Sequence, residues 1–285
     1  MARLQLFDAK VERVRAAFED LRRETAHAID LLGRIASAET AIDEAELDIE
    51  NSRVAEVVRH QEPILATAAD LVLLLDEATG DTAVAFDGMK RFTRFEHFVS
   101  FFSVRKARRM RHVRMEEHSF SASLGDLLSK SGAILHLLEG ERAIARDEQQ
   151  KAEADLVRLI ERRKGTARLL DLQAAQAGDA GLFAEEALLE RSTSMFRTLV
   201  EALNDRLASL QTLLAKLAVD GRQRLLLCRA VEGWGLAGVG PEVGGDVHAA
   251  GAGGEARDIL RGKARSDDAF ARRFGGVLEK HGASG

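Results

Sequence analysis

A phenylalanine-rich segment that runs directly into a basic one is the most distinctive chemical feature of this 285-residue chain. Between Met89 and Met115 there are nine Lys or Arg residues and one Glu, a local charge of +8 in a chain of formal net charge -5. Cationic helices with adjacent apolar side chains bind anionic lipid surfaces by electrostatic attraction and by insertion of the apolar groups. We therefore predict an anionic-surface site formed by Lys90, Arg91, Arg94, Phe98, Phe101, Arg105, Lys106, Arg108, Arg109, Arg111 and Arg114.

Two other interpretations of this segment stay open. Phe92, Phe95, Val99 and Phe102 recur at helical spacing, which is typical of residues that face a core, with the arginines then forming a solvated face. The arginines are also of the type that binds nucleic-acid phosphates, although the rest of the chain is acidic and has no recognition helix or zinc module. A nucleic-acid-associated helical bundle is therefore the alternative function.

The residues that could support catalysis do not form a recognisable set. Carboxylate-bridged metal pairs in helical bundles need two Glu-x-x-His motifs, and this chain has one, Glu24 to His27. The glycines at 235–245 follow a helical pattern, whereas dinucleotide-binding glycines follow a strand. His136 lies in an apolar run, which favours a hydrogen-bonded structural histidine. We predict no catalytic residue, metal or cofactor, and a non-enzymatic protein; a metalloenzyme ranks third among the functions.

The C-terminal segment predicts a second interaction site. Phe270, Phe274, Val277 and Leu278 fall on one face of a short helix that follows a glycine-rich stretch. A flexible tether holds such a peptide at high effective concentration near its chain, as docking peptides require. We predict that this face docks a protein partner, and docking back onto its own bundle remains open.

The elements that must position these residues are helices. The chain has two prolines and no tyrosine, and it is rich in Ala, Leu, Arg and Glu, which lose little side-chain freedom in a helix. We therefore predict an all-α fold, an elongated antiparallel helical bundle or coiled coil with a flexible Gly-rich C-terminal tail. Residues 1–231 form the bundle, 232–254 the flexible linker and 255–285 the short amphipathic helix.

Heptad spacing places the helices within this bundle. One seam begins at Val11 and continues in register to Ile42 and Ile49; Pro63 is expected to end this helix near His60, and Gly80 to end the next one. A further helix is expected to continue to Ala177. The clearest seam consists of Leu189, Thr193, Phe196, Val200, Leu203, Leu207, Leu210, Leu214 and Leu217.

Composition also predicts the location of the protein. The single cysteine, Cys228, cannot form an intramolecular disulfide, and this fits a reducing compartment. The most apolar stretch, Leu71 to Leu75, is far shorter than the ~20 residues that span a bilayer. We expect a cytoplasmic scaffold or adaptor that forms homo-oligomers and is peripheral at the inner face of the membrane.

Overall fold

The computed structural model describes residues 6–37, 44–173, 180–237 and 249–282. Within these ranges the chain is helical apart from short connections and contains no strand, so the prediction of an all-α helical bundle is confirmed. No described helix is both long enough and apolar enough to cross a membrane. The helices are α1 (Phe7–Ala36), α2 (Glu44–Lys90), α3 (Arg94–Phe102), α4 (Val104–Glu117), α5 (Phe120–Gln173), α6 (Ala180–Ala237) and α7 (Ala249–Gly282).

Helix α2 passes through both residues that were expected to end a helix, and those two predictions are wrong. Pro63 lies inside α2, although proline removes one backbone hydrogen bond from a helix interior. On either side of it Val57 and Leu65 are buried. Tertiary packing of the apolar face therefore outweighs the local cost of the proline. Gly80 likewise lies inside α2 and does not have the left-handed backbone of a helix cap.

The first predicted helix is interrupted much earlier than Pro63. Helix α1 ends at Ala36 and α2 begins at Glu44; Ile42 lies outside the described residues. Ile49 is 57% exposed, so the seam does not continue in register beyond the interruption. The predicted helix end at Ala177 and residues 238–248 of the predicted linker also lie outside the described ranges. Residues 232–237 of the predicted linker belong to α6, and residues 249–254 belong to α7.

The chain divides into two compact units. Unit 1 contains described residues 6–11, 69–137, 212–237 and 249–282, and unit 2 contains 12–37, 44–68, 138–173 and 180–211. Unit 2 is therefore built from parts of four helices, α1, α2, α5 and α6. Its core is formed by buried side chains of all four, among them Phe18, Leu21, Leu32, Val54, Val57, Leu159, Phe196, Leu203 and Leu210.

Side-chain contacts establish the helix directions within unit 2. Arg22 of α1 is paired with Glu141 of α5, and further along both helices Arg162 donates a hydrogen bond to the carbonyl of Ile35 at 2.6 Å. Helices α1 and α5 therefore run in the same direction. Gly33 lies on this contact, since a Cβ there would be 3.0 Å from Oδ2 of Asp155.

Unit 1 combines the start of α1, the second half of α2, the short helices α3 and α4, the first part of α5, the last part of α6, and α7. Phe86 of α2 packs edge to face against Phe120 of α5, with ring centroids 5.7 Å apart. The rest of the core includes Phe7, Leu71, Val72, Leu75, Leu124, Ile134, Leu213, Leu217, Phe270 and Phe274. This unit carries both of the sites that the sequence singles out.

Candidate anionic-surface site

The phenylalanine-rich and basic segments form a helical hairpin, α3 followed by α4, with only Ser103 between them. Helix α3 begins with a capping box: the Thr93 hydroxyl accepts a hydrogen bond from the Glu96 amide at 3.2 Å, and the Thr93 amide donates to Glu96 Oε2 at 2.8 Å. The extended backbone of Ser103 then ends the helix. These local signals make α3 a separate, nine-residue helix.

Two of the predicted binding arginines hold the hairpin to the end of α2. The Arg114 guanidinium donates hydrogen bonds to the carbonyls of Met89 and Arg91 and to Glu96 Oε2, at 3.0 to 3.2 Å. Arg111 donates to the Lys90 carbonyl at 3.0 Å. The last carbonyls of a helix have no intrahelical partner, and cations there are favoured by the helix dipole. The sequence pattern predicted ligand binding for both arginines and did not indicate this structural role.

The phenylalanines of α3 are exposed to solvent. Phe98 is 60% exposed and Phe101 is 80% exposed. This is expected, because neither belongs to the apolar residues that recur at helical spacing in this segment. Phe95 and Phe102 are also 63% and 80% exposed, so the interpretation of these two as core residues is wrong. Helix α3 therefore exposes aromatic rings on more than one of its faces.

The basic residues divide into exposed and partly covered ones. Lys90 is half-buried beside Asp87, 2.7 Å from its carboxylate, and over the ring of Phe86. Arg111 and Arg114 are half-buried at the base of the hairpin. The exposed members of the predicted site are Arg91, Arg94, Arg105, Lys106, Arg108 and Arg109. The hairpin therefore presents exposed cations and exposed aromatic rings together.

The predicted docking face of α7 lies against the rest of unit 1. Phe270 and Phe274 are buried at 4% and 2% exposure, with ring centroids 5.0 Å apart, while Val277 and Leu278 are half-buried. The helix thus packs in cis in this structure.

Beside α7 lies a cluster of two lysines and three aspartates. The carboxylates of Asp76, Asp220 and Asp267 are close enough together to hold a metal ion. However, the Lys216 ammonium pairs with all three, at 2.5 to 3.2 Å, and Lys263 pairs with the same three. The lysine ammonium groups already supply positive charge to these carboxylates.

The ionisation of this cluster follows from its burial and pairing. Burial alone would lower the pKa of Lys216, but its hydrogen bond to Asp267 and the charges of Asp220 and Asp76 outweigh burial and raise the pKa to about 12. Burial raises the pKa of the Asp220 carboxyl, which is fully covered. The cluster therefore acts as an ion-paired junction that joins α2, α6 and α7 inside unit 1.

A second buried polar network lies in unit 2, and no sequence motif indicated it. Arg206, 2% exposed, donates hydrogen bonds to Glu148, Gln61 and Thr25, which belong to three different helices, at 3.1 to 3.2 Å. Burial raises the pKa of Glu148 to about 7, although Arg206 opposes this shift. Partners from three helices leave no local sequence pattern that could identify them.

The single Glu-x-x-His motif, which was not predicted to bind a metal, does not converge on one site. His27 contacts Glu50 at 3.6 Å and Glu24 contacts His60 at 3.5 Å, so the Glu-x-x-His pair faces two different partners. His136 is exposed, which does not support its interpretation as a hydrogen-bonded structural histidine within an apolar run.

Comparisons with protein-family models, with curated proteins and with solved structures found no match for this chain.

Proposed function

We propose that this protein is a non-catalytic scaffold or adaptor that contacts an anionic membrane surface through the α3–α4 hairpin. The observation that carries the proposal is the exposure of four phenylalanines on a hairpin that also exposes a cluster of lysine and arginine side chains. An exposed group of large apolar residues marks an interaction site in soluble proteins. The adjacent positive charge favours an anionic partner.

The electrostatic part of the interaction has an estimable size. A basic residue near an anionic lipid surface contributes about 1 kcal/mol. Arg105, Lys106, Arg108 and Arg109 would then contribute roughly 4 kcal/mol, equivalent to about a thousandfold in affinity at low ionic strength. Insertion of the phenylalanine rings adds an apolar contribution that salt does not screen.

Other parts of the proposal rest on the sequence. These are the elongated antiparallel coiled-coil form, assembly into homo-oligomers, and a cytoplasmic location at the inner face of the membrane. Recruitment of a protein partner by α7 is also part of the proposal. Because Phe270 and Phe274 are buried within unit 1, a partner can bind this face only after α7 is released from its cis position.

The test is co-sedimentation of the full chain with vesicles of phosphatidylcholine, with and without phosphatidylglycerol. The hairpin variant replaces Arg105, Lys106, Arg108 and Arg109 with Glu. We expect the wild type to sediment with the anionic vesicles only, and the hairpin variant to lose this binding. A second variant, F98S/F101S, keeps the charge and should weaken binding at high salt most, because the apolar contribution dominates there.

A matched control separates the hairpin from net charge. Replacing Arg15, Arg23, Arg59 and Lys151 with Glu changes the net charge by the same amount at side chains of unit 2 that are 48 to 79% exposed. The control should bind the vesicles more tightly than the hairpin variant by a large factor. Equal binding by the two variants would eliminate the hairpin as the contact.

The same variants test the alternative function. Binding to duplex or single-stranded DNA that weakens steeply with salt, with no binding to vesicles, would contradict the membrane proposal and favour a nucleic-acid-associated bundle.

A further inference from the structure

A groove of about 780 Å³ runs between α3 and α4. Part of its lining is apolar: Phe95, Val99 and Phe102 come from α3, and Met110 and Val113 come from α4. These residues would be the packed interior of a closed helix pair. Instead Phe95, Phe102, Met110 and Val113 are 39 to 80% exposed, so the groove is open to solvent.

One side of this groove carries positive charge. Lys106 and Arg109 of α4 line it and are exposed. Arg114 also lines it, and its hydrogen bond to Glu96 Oε2 at 3.0 Å holds the two helices together. An occupant that matches this surface has an apolar body and an anionic head.

The size of the groove distinguishes a small amphiphile from a protein partner. Sites for small molecules have volumes of roughly 300 to 1,000 Å³, and this groove falls within that range. Helix α3 has nine residues and is therefore about 13 Å long. A specific protein partner buries ~800 Å² on each side, which a groove of this length does not offer.

We propose that the α3–α4 groove binds the acyl chain of a single anionic lipid, whose headgroup pairs with Lys106 and Arg109. The inference rests on the proposed membrane contact and names the lipid species that this contact selects. The exposed Phe98 and Phe101 rings lie outside the groove and are available for insertion beside it. The groove therefore adds selectivity for one lipid molecule to the general attraction between the hairpin and an anionic surface.

The test uses lysophosphatidylglycerol below its micelle concentration, so that no membrane surface is present, with native mass spectrometry of the full chain. We expect a one-to-one complex, and weaker binding of lysophosphatidylcholine. In V99W the indole fills the groove without changing the charge, and the complex should disappear. The matched control V157W makes the same substitution at a 56% exposed position of α5 in unit 2 and should keep the complex. Reversing Lys106 and Arg109 to Glu should weaken binding of the anionic lipid by about 2- to 30-fold, the range for the loss of two exposed ion pairs.

Each outcome decides between the two proposals. A wild type that binds anionic vesicles but not the lysolipid would overturn the groove inference and leave the membrane contact standing. Persistence of the complex in V99W, equal binding of the zwitterionic lipid, or several lipids bound per chain would also overturn it. A wild type that binds neither vesicles nor lysolipid would refute both. Circular dichroism of V99W and its co-sedimentation with vesicles show whether the variant is folded.

Discussion

Glu148 should make unit 2 less stable as pH rises through neutrality. Its carboxylate is covered in the centre of the unit and pairs with Arg206 at 3.1 Å. Burial raises its pKa to about 7 against the attraction of Arg206 and Arg22, and repulsion by Glu141 and Asp147 adds to the increase. The E148Q substitution keeps the shape of the side chain and removes its titration.

The magnitude follows from the pKa values of the two states. The unfolded value is 4.5 and the folded value is about 7, and each unit corresponds to about 1.4 kcal/mol. Between these values the folded state holds a proton that the unfolded state has released, so the free energy of unfolding falls with rising pH. The stabilisation from proton binding is fully present below pH 4.5 and is lost by about pH 7. The total change is about 3 kcal/mol.

The assay is urea unfolding of the wild type and of E148Q at pH 4.5, 6 and 8. We expect the stability of the wild type relative to E148Q to fall by about 3 kcal/mol from the lowest to the highest pH. The control E139Q changes a glutamate at an exposed position of the same helix. The stability of the wild type relative to E139Q should change much less between these pH values. A wild-type to E148Q difference that is constant with pH, or that moves in the wild type's favour as pH rises, would refute the reasoning.

Two further predictions concern the packing of the helices. Replacing Lys216, which is 1% exposed, by Met removes a central cation from the Asp76, Asp220 and Asp267 carboxylates. Urea unfolding should show a loss of about 3 to 5 kcal/mol in the free energy of unfolding. A variant as stable as the wild type would contradict the ion-paired junction. Replacing Pro63 by Ala restores a backbone donor inside α2, so thermal and urea unfolding should show a gain of up to about 3 kcal/mol; a clear destabilisation would mean that α2 is not continuous there.

The sequence predicted the fold class well because its signal is local. The seam of α6 repeats every three or four residues, and its members Leu189, Phe196, Leu203 and Leu210 are all buried. Heptad spacing reflects one helix face, so it can be recognised without knowing what packs against it. The continuity of α2 through Pro63 could not be recognised in this way, because it depends on packing contributed by other helices.

The candidate site was predicted in part for the same reason. The composition of the segment identified the exposed cations and the rings of Phe98 and Phe101. It could not separate these from Arg111 and Arg114, whose role depends on carbonyls at the end of α2. It could not predict the exposure of Phe95 either, because a periodic apolar stripe is a local pattern and does not show whether another helix covers it.

The buried charges were missed because their residue types are ordinarily found on surfaces. Arg206, Lys216, Asp220 and Arg224 are all at most 2% exposed on α6. Within an isolated helical pattern they resemble a solvated face beside the leucine seam. Only partners from other helices, such as Thr79 for Arg224 at 2.8 Å, make their burial favourable.

The most direct measurement of the membrane contact is quenching of a tryptophan at the tip of the hairpin by brominated acyl chains. In both proteins compared, the chain's single natural tryptophan, Trp234, is changed to Phe. One protein carries F101W and the other carries L172W. Leu172 is the control position, because it is 76% exposed and belongs to unit 2. With phosphatidylglycerol vesicles we predict strong quenching and a blue shift for F101W and little change for L172W. Quenching of F101W no greater than that of L172W would contradict the account.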